Sequence, residues 1–539
     1  MKFKKALALG ISAALIVTAF AACGTQEAVI DWESVKIVEE PVTLTYWVRN
    51  DMSASVSNYA ENAAYKELAR RTNVNIEFLH PSGDQNQLEM LIAADSLPDI
   101  VETVGVNGLP DGGDECIETN VIIRLNELID EYAPNFKAAR EADDESRQLT
   151  ITDKGNIYAF PKLLDGEELA WSGPSVREDL LEKLNLDVPE TIDDWYEMLT
   201  AFKQDGVPIP LTIGHNGWDT TSEFGVFMGS FGVNRKFILD EEGNVAYGPI
   251  MDGYREFLQT FHKWYEEGLL DPEFNSREDK GDQAAAGNVG AAVQTSFGEY
   301  VTVAAPYPKR SEDSDVPNFR QKNWRNRGYE ASITTKCSPE NQIIAVKWFD
   351  YHYDQSLKGG ARLFDWGIES VDGSEGSYTM QKSSLIDEAC RTLSAFYGKM
   401  PDKYDEEGYP VATQIILDDP LGYWGGLNKY KVDNAPYYKD VDRVLARSED
   451  EVVNEKYMVW SQANATQMLP NYTMTDEEKV ENKEIMDAVS SYVSSMYVSF
   501  IKGEESLDKW DEYVATVKQM GIDRATQINQ DAYSRLKAR

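Results

Sequence analysis

Tryptophans set among amides, acids and glycines are the residues of this chain with chemistry to offer. Trp47 is followed by Arg49, Asn50 and Asp51; Trp171 stands in ELAWSGPSV; Trp218 stands in GHNGWDTTSE between Asn216 and Asp219; Trp424 stands in DPLGYWGGLN. An indole presents a flat face on which the C–H side of a sugar ring can stack, and neighbouring amides and carboxylates take the hydroxyls. The same indoles can equally fill a core. Trp47 shares one strand face with Arg49 and so stands between the two readings, while Arg49, Asn50 and Asp51 read either as hydroxyl ligands or as a capped loop. FRQKNWRNRG (319–328) gathers Arg320, Lys322, Arg325 and Arg327 around Trp324 in the one dense basic cluster of the chain. Guanidinium groups there suit the carboxylate of an anionic sugar by two-point hydrogen bonding. A solvated basic loop balancing Glu312, Asp313 and Asp315 is the plainer reading.

Other chemistries are poorly supplied. The four histidines, His80, His215, His262 and His352, are never four residues apart, and Cys116, Cys337 and Cys390 are widely spaced without a CxxC pair. Neither a zinc site nor a disulfide framework is indicated. LDEEGNVAYG and DEEGYP have too few correctly spaced oxygens for a calcium loop, so no metal and no cofactor are expected. Signatures of serine hydrolases, zinc proteases, nucleotide-binding loops and dinucleotide sites are absent. Ninety-two acids leave a surface glycoside hydrolase open, because its paired carboxylates need no short motif. A repeat-built adhesin is not supported, since no internal repeat is present.

The elements that must position these residues read as alternating strands and helices. VTLTYWVR (42–49) predicts a strand, 57–72 a helix, VNIEFLH (74–80) a second strand, and 88–104 a helix followed by a buried strand, a βαβ opening that calls for a parallel sheet. A helical stretch breaks at Pro134, and 149–164 predicts a hairpin turning at Lys154-Gly155-Asn156. From 175 two helices follow, the second capped by Thr191 ahead of an acidic first turn. IPLTIG predicts a strand, 237–248 a hairpin at Gly243-Asn244, 251–268 an amphipathic helix, GNVGAAVQTSF another buried strand, and 339–354 a helix.

The amino terminus fixes the compartment. Lys2, Lys4 and Lys5 precede an uncharged apolar run from Ala6 to Phe20, and Phe20-Ala21-Ala22-Cys23 follows where a signal peptidase cuts. The pattern resembles a bacterial lipoprotein signal, with Phe20 where leucine is usual, and implies that Cys23 carries diacylglycerol as the first mature residue. The apolar run is shorter than the ~20 residues that span a bilayer. Residues 24–41 read as a tether. Cleavage moves the net charge from −40 to −43, which disfavours nucleic acid and anionic headgroups as partners. About 517 mature residues exceed one hydrophobic core, so two lobes are required.

SLPDIV (96–101), VREDLLEKLNLDVPETIDDWYEMLTAFK (176–203), EEGNVAYG (241–248), KWYEEGLLDPEF (263–274), GNVGAAVQTSF (287–297) and WDEYVATVKQMGIDRATQINQDAYSR (510–535) occur in an order and spacing that resembles the extracellular solute-binding lipoproteins of carbohydrate ABC transporters. The resemblance is to the large Gram-positive branch of family 1, related to alginate-oligosaccharide binders. It implies a periplasmic-binding-protein-like α/β fold, two lobes joined by a hinge with multiple crossovers and no catalysis. The implied division is a signal peptide (1–22), anchor and tether (23–41), lobe one (42–163 plus 300–365), lobe two (164–299 plus 366–500) and C-terminal helices packing at the hinge (501–539). It also implies Trp366 at a crossover, with Glu375 and Tyr378 beyond it. An insertion, Val371 to Ser374, interrupts the family pattern there. Implied partners are an oligosaccharide, permease subunits with their ATPase and, through the lipid, the membrane; the chain itself is expected to be a monomer. A peptide ligand stays open, because a peptide cleft also uses aromatic residues.

Overall fold

The computed structural model describes residues 35–48, 58–80, 87–104, 108–110, 112–167, 170, 173–213, 223–277, 280–293, 297, 300–314, 326–356, 359–366, 435–439, 451–463 and 468–539. The first body is built on β1 (Val42–Trp47), β2 (Val74–Leu79), β3 (Ile100–Val104), β4 (Phe160–Leu164), β11 (Asn326–Ile333) and β12 (Tyr438–Lys439), in the order β12-β4-β11-β3-β1-β2. β1 pairs parallel to β2 and β3, and β12 parallel to β4, while β11 lies antiparallel to both β3 and β4. Five strands therefore point one way and β11 alone is reversed. β-Branched and aromatic residues suit such strands, which are covered on both faces. On one face Tyr46, Phe160, Trp348 and Phe349 form a buried core; on the other, Trp47, Leu88, Val101 and Cys116 form a second.

The second body holds β5 (Pro174–Arg177), β6 (Ile209–Thr212), β9 (Val289–Val293) and β10 (Thr302–Ala304), in the order β10-β5-β9-β6, and a hairpin of β7 (Phe237–Leu239) and β8 (Val245–Tyr247). β6 runs parallel to β9, and β5 is antiparallel to β9 and β10. The helix Ile192–Gln204 starts at a reciprocal cap between Thr191 and Asp194 and buries Ile192, Trp195, Met198, Leu199 and Phe202. The helix Asp252–Glu266 buries Tyr254, Phe257, Phe261 and Trp264 and is followed by Gly268 at φ 62°, a left-handed stop that glycine takes without strain. It packs along the 27-residue helix Asp476–Lys502, with the rings of Phe257 and Tyr497 stacked at 6.4 Å.

Two expectations need correction. The hairpin over 149–164 is a single strand: its turn is present, with Gly155 at φ 78° and its N–H on the Thr152 carbonyl, but in the first arm Leu149 ends the helix Asp144–Leu149 and residues 150–153 form no strand. The lobe boundaries also move. β10, expected in lobe one, completes the second sheet beside β5, and residues 435–439, expected in lobe two, return to the first sheet as β12. Burial explains the return: Ala435 and Tyr437 enter the first core, and the ring of His352, kept neutral by burial that lowers its pKa to about 3, donates Nδ1–H to the Pro436 carbonyl at 3.0 Å.

Candidate functional site

Strand direction locates the functional edge. β1, β3, β4 and β12 end at Trp47, Val104, Leu164 and Lys439, and reversed β11 begins at Asn326 on that same edge. In the second sheet β6, β9 and β10 end at Thr212, Val293 and Ala304, and reversed β5 begins at Pro174 on that edge. The chain crosses from Leu164 to Pro174 and returns from Ala304 to Asn326. Both crossings therefore join one carboxyl edge to the other. The nine residues 165–173 span at most roughly 30 Å, so the two carboxyl edges, the edges at which α/β sheets hold their ligands, lie within that reach of each other at the crossing.

A third connection leaves β12 and enters the helix Glu451–Trp460, which fastens the first crossing. Trp460 is fully buried and its Nε1–H donates to the Pro174 carbonyl at 3.0 Å; Ser461 Oγ accepts from Ala170 N at 2.8 Å. A methyl group on Gly173 would lie 2.4 Å from the Trp460 ring, so glycine is needed where the indole crosses the chain. Lys456 Nζ reaches Thr302 Oγ1 at 2.7 Å, tying the same helix to β10.

The edges carry buried polar groups that the sequence reading passed over. Tyr46 Oη donates to Glu102 Oε2 and Tyr158 Oη to Glu330 Oε2, each at 2.6 Å. Burial raises Glu102 to a pKa of about 8, opposed by the Tyr46 hydrogen bond, and also raises Glu330, opposed by Tyr158 and Asn326. Cross-strand register sets Glu102 against Ala331 and Glu330 against Thr103, so the two acids leave opposite faces of the sheet and cannot flank one bond. Lys162 lies 5.3 Å from the Tyr437 ring and 5.7 Å from that of Tyr329, a cation–π setting. In the second body Asp271, fully buried, accepts from Thr212 Oγ1 and from the Arg277 guanidinium, both at 2.9 Å. A charged residue inside an apolar strand such as IVETV was the available signal, because a buried acid needs a partner.

Of the candidates read from the sequence, Trp47 is fully described. It is 4% exposed among Leu88, Val101, Leu109, Cys116 and Ile122, and its indole N–H is buried without a partner among the described residues. Its ring is taken up by packing. Trp366 is the last residue of the helix Gly360–Trp366, two positions after Phe364, whose ring packs on Tyr437 and Tyr65. Asn50, Asp51, Trp171, Asn216, Trp218, Trp324, Arg325, Glu375, Tyr378, Trp424 and Cys23 lie outside the described residues. Along the chain, Asn50 and Asp51 follow β1, Trp171 lies between β4 and β5, Asn216 and Trp218 follow β6, and Trp324 and Arg325 precede β11. Among the described residues no three His, Cys, Asp or Glu side chains gather to hold a metal ion, and no helix is long and apolar enough to cross a membrane.

Two α/β sheets joined from carboxyl edge to carboxyl edge by repeated crossings of the chain define the two-lobed solute-binding fold. No family model matches the chain. It is 23% identical over 583 aligned residues to the fructooligosaccharide ABC transporter substrate-binding protein FusA of Streptococcus pneumoniae serotype 4, covering 100% of this chain and 99% of that protein. It is 24% identical to the polygalacturonan/rhamnogalacturonan-binding protein YtcQ of Bacillus subtilis, over 73% of this chain and 67% of the relative. Among solved structures, the FusA complex with kestose superposes with a TM-score of 0.64 at 19% identity, covering 92% of this chain and 99% of the other. The alginate-binding protein AlgQ2 without calcium superposes at 0.62 and 22% identity, covering 93% and 100%.

Proposed function

We propose that this chain is the substrate-binding component of an ABC importer, which captures an oligosaccharide between its two lobes and presents it to the permease outside the cell. The observation that carries the proposal is the end-to-end similarity to a fructooligosaccharide-binding protein, on a fold whose two sheets are joined from carboxyl edge to carboxyl edge. Loop tryptophans stack sugar rings, and Asn50, Asp51 and Asn216 take hydroxyls. The chain holds its ligand without cleaving it. It acts as a monomer, delivering to two permease subunits driven by a cytoplasmic ATPase, and Cys23 carries the lipid that keeps it at the membrane.

The test is a thermal-shift and calorimetric screen of the domain beginning after Cys23 against kestose, longer fructans, galacturonate oligomers and short peptides, with every hit examined for cleavage products. Binding at one hundred times the dissociation constant stabilises by about 2.7 kcal/mol. Stabilisation by an intact sugar supports the proposal, and a preference for galacturonates assigns Arg320, Lys322, Arg325 and Arg327 to the site. Cleaved product makes the protein a hydrolase; stabilisation by peptides alone makes it a peptide carrier.

A further inference from the structure

We infer that Arg535 and Arg539, at the end of the last helix, form an ionic pivot that holds the two bodies at a set angle. The helix Ile522–Ala538 is rooted in the second body, with Ile522 and Ala525 in its core. Its last turn lies on residues 147–153 of the first. Arg535 Nε donates to Asp153 Oδ2 at 3.0 Å, while its Nη1 donates to Glu478 Oε1 at 2.9 Å on the helix Asp476–Lys502. Arg539 Nε donates to Asp153 Oδ1 at 2.8 Å and Nη1 to the Ile151 carbonyl at 2.6 Å, while Nη2 donates to Thr473 Oγ1 at 2.6 Å. Each guanidinium thus has acceptors on both bodies, and Asp153 sits between the two. Arg147 and Gln148 of the first body add hydrogen bonds to the Arg539 and Lys537 carbonyls.

Their number gives these contacts their weight. The Arg539 side chain is 8% exposed, but Asp153 is 30% exposed and its two hydrogen bonds lie at the surface; an isolated pair there contributes little, whereas Arg535, Arg539, Asp153 and Glu478 form a network. Beside them is a depression open to solvent, lined by Ile151, Thr152, Gly155 and Ala538 with the three charged residues. The charged contacts at this joint therefore lie at the surface and not in an apolar core, and they fix its angle. A joint held by directional contacts can rotate, where an interdigitated core cannot. The pivot needs no ligand; only its effect on capture rests on the transport function proposed above.

Pulsed electron resonance on the ligand-free protein tests this. Spin labels go on a ketone-bearing amino acid placed at exposed Glu77 in the first body and exposed Lys518 in the second, leaving the native cysteines untouched. Asp153→Ala should broaden the inter-label distance distribution and shift its mean. Asp153→Asn, which keeps size and removes charge, should act in the same direction with smaller amplitude and decides alone if the alanine variant does not fold. Arg524→Ala, which removes the Arg524–Glu481 pair inside the second body, should leave the distribution as in the wild type. Unchanged distances in a folded Asp153 variant, or an equal change in Arg524→Ala, overturn the pivot. Sugar binding is read separately, so a pivot without ligand and a ligand without pivot are distinguishable.

Discussion

Replacing Glu102 with glutamine should make the first lobe more stable as the pH rises. Glu102 is 1% exposed, accepts the Tyr46 hydroxyl through Oε2, and leaves Oε1 buried without a partner among the described residues. Folded, it holds its proton to a pH of about 8; unfolded, it releases it near 4.5. Between these values the native state binds more protons, so stability falls as pH rises. The penalty is absent below 4.5 and complete above 8. Each pH unit in the window costs about 1.4 kcal/mol, giving about 3 kcal/mol at neutral pH and about 5 kcal/mol at pH 8. Glutamine keeps the shape and the Tyr46 acceptor and cannot ionise. Calorimetric melts across pH 5 to 8 should show the two proteins within about 1 kcal/mol at the acid end. At pH 8 the variant should melt higher by on the order of 10 °C. A wild-type melting temperature that is flat across this range, or a variant equally destabilised throughout, would refute the reasoning.

Gly173→Ala should unseat Trp460 from the first crossing, seen as a red-shifted tryptophan emission and a loss of about 1–3 kcal/mol; unchanged emission would contradict the contact. Asp350→Ala removes the acceptor of Phe136 N and Asn135 Nδ2, both at 2.8 Å, and should cost about 1–3 kcal/mol by denaturant melts. Burial raises Asp350 from 3.8 to about 6, opposed by those hydrogen bonds, so the wild type loses stability as pH rises through that window and the deficit of the alanine variant should shrink, being largest below pH 4, where the carboxyl is protonated folded or unfolded. Gly248→Ala places a methyl 1.9 Å from the Asn234 carbonyl oxygen and should lower soluble yield and melting temperature, because backbone cannot move aside. Cys23→Ser should release the protein from the membrane fraction into the medium; retention on the membrane would reject the lipid anchor.

The regular elements were legible because each carries its own local signal. Thr191 and Asp194 announce the helix Ile192–Gln204, Gly268 the end of the helix Asp252–Glu266, and Gly243-Asn244 the turn of β7 and β8. The hairpin at Gly155 misled because the turn chemistry is real while Leu149 is claimed by a helix. Lobe membership failed for a different reason: β10 and β12 are three and two residues long, and their sheets are chosen by distant partners, β5 and β4, which leave no local trace. The buried acids Glu102 and Glu330 looked like any other carboxylates until Tyr46 and Tyr158 were placed beside them. Trp47 was balanced between two roles, and its neighbours Leu88 and Ile122, far apart in sequence, decide how it is used here.

Because three segments tie the two sheets along one edge, swivelling about any single segment is blocked by the other two. What remains soft is bending in one plane, as a book opens on its spine. A joint confined to one coordinate has little freedom to lose, so little of a ligand's binding energy would be consumed in ordering the protein around it.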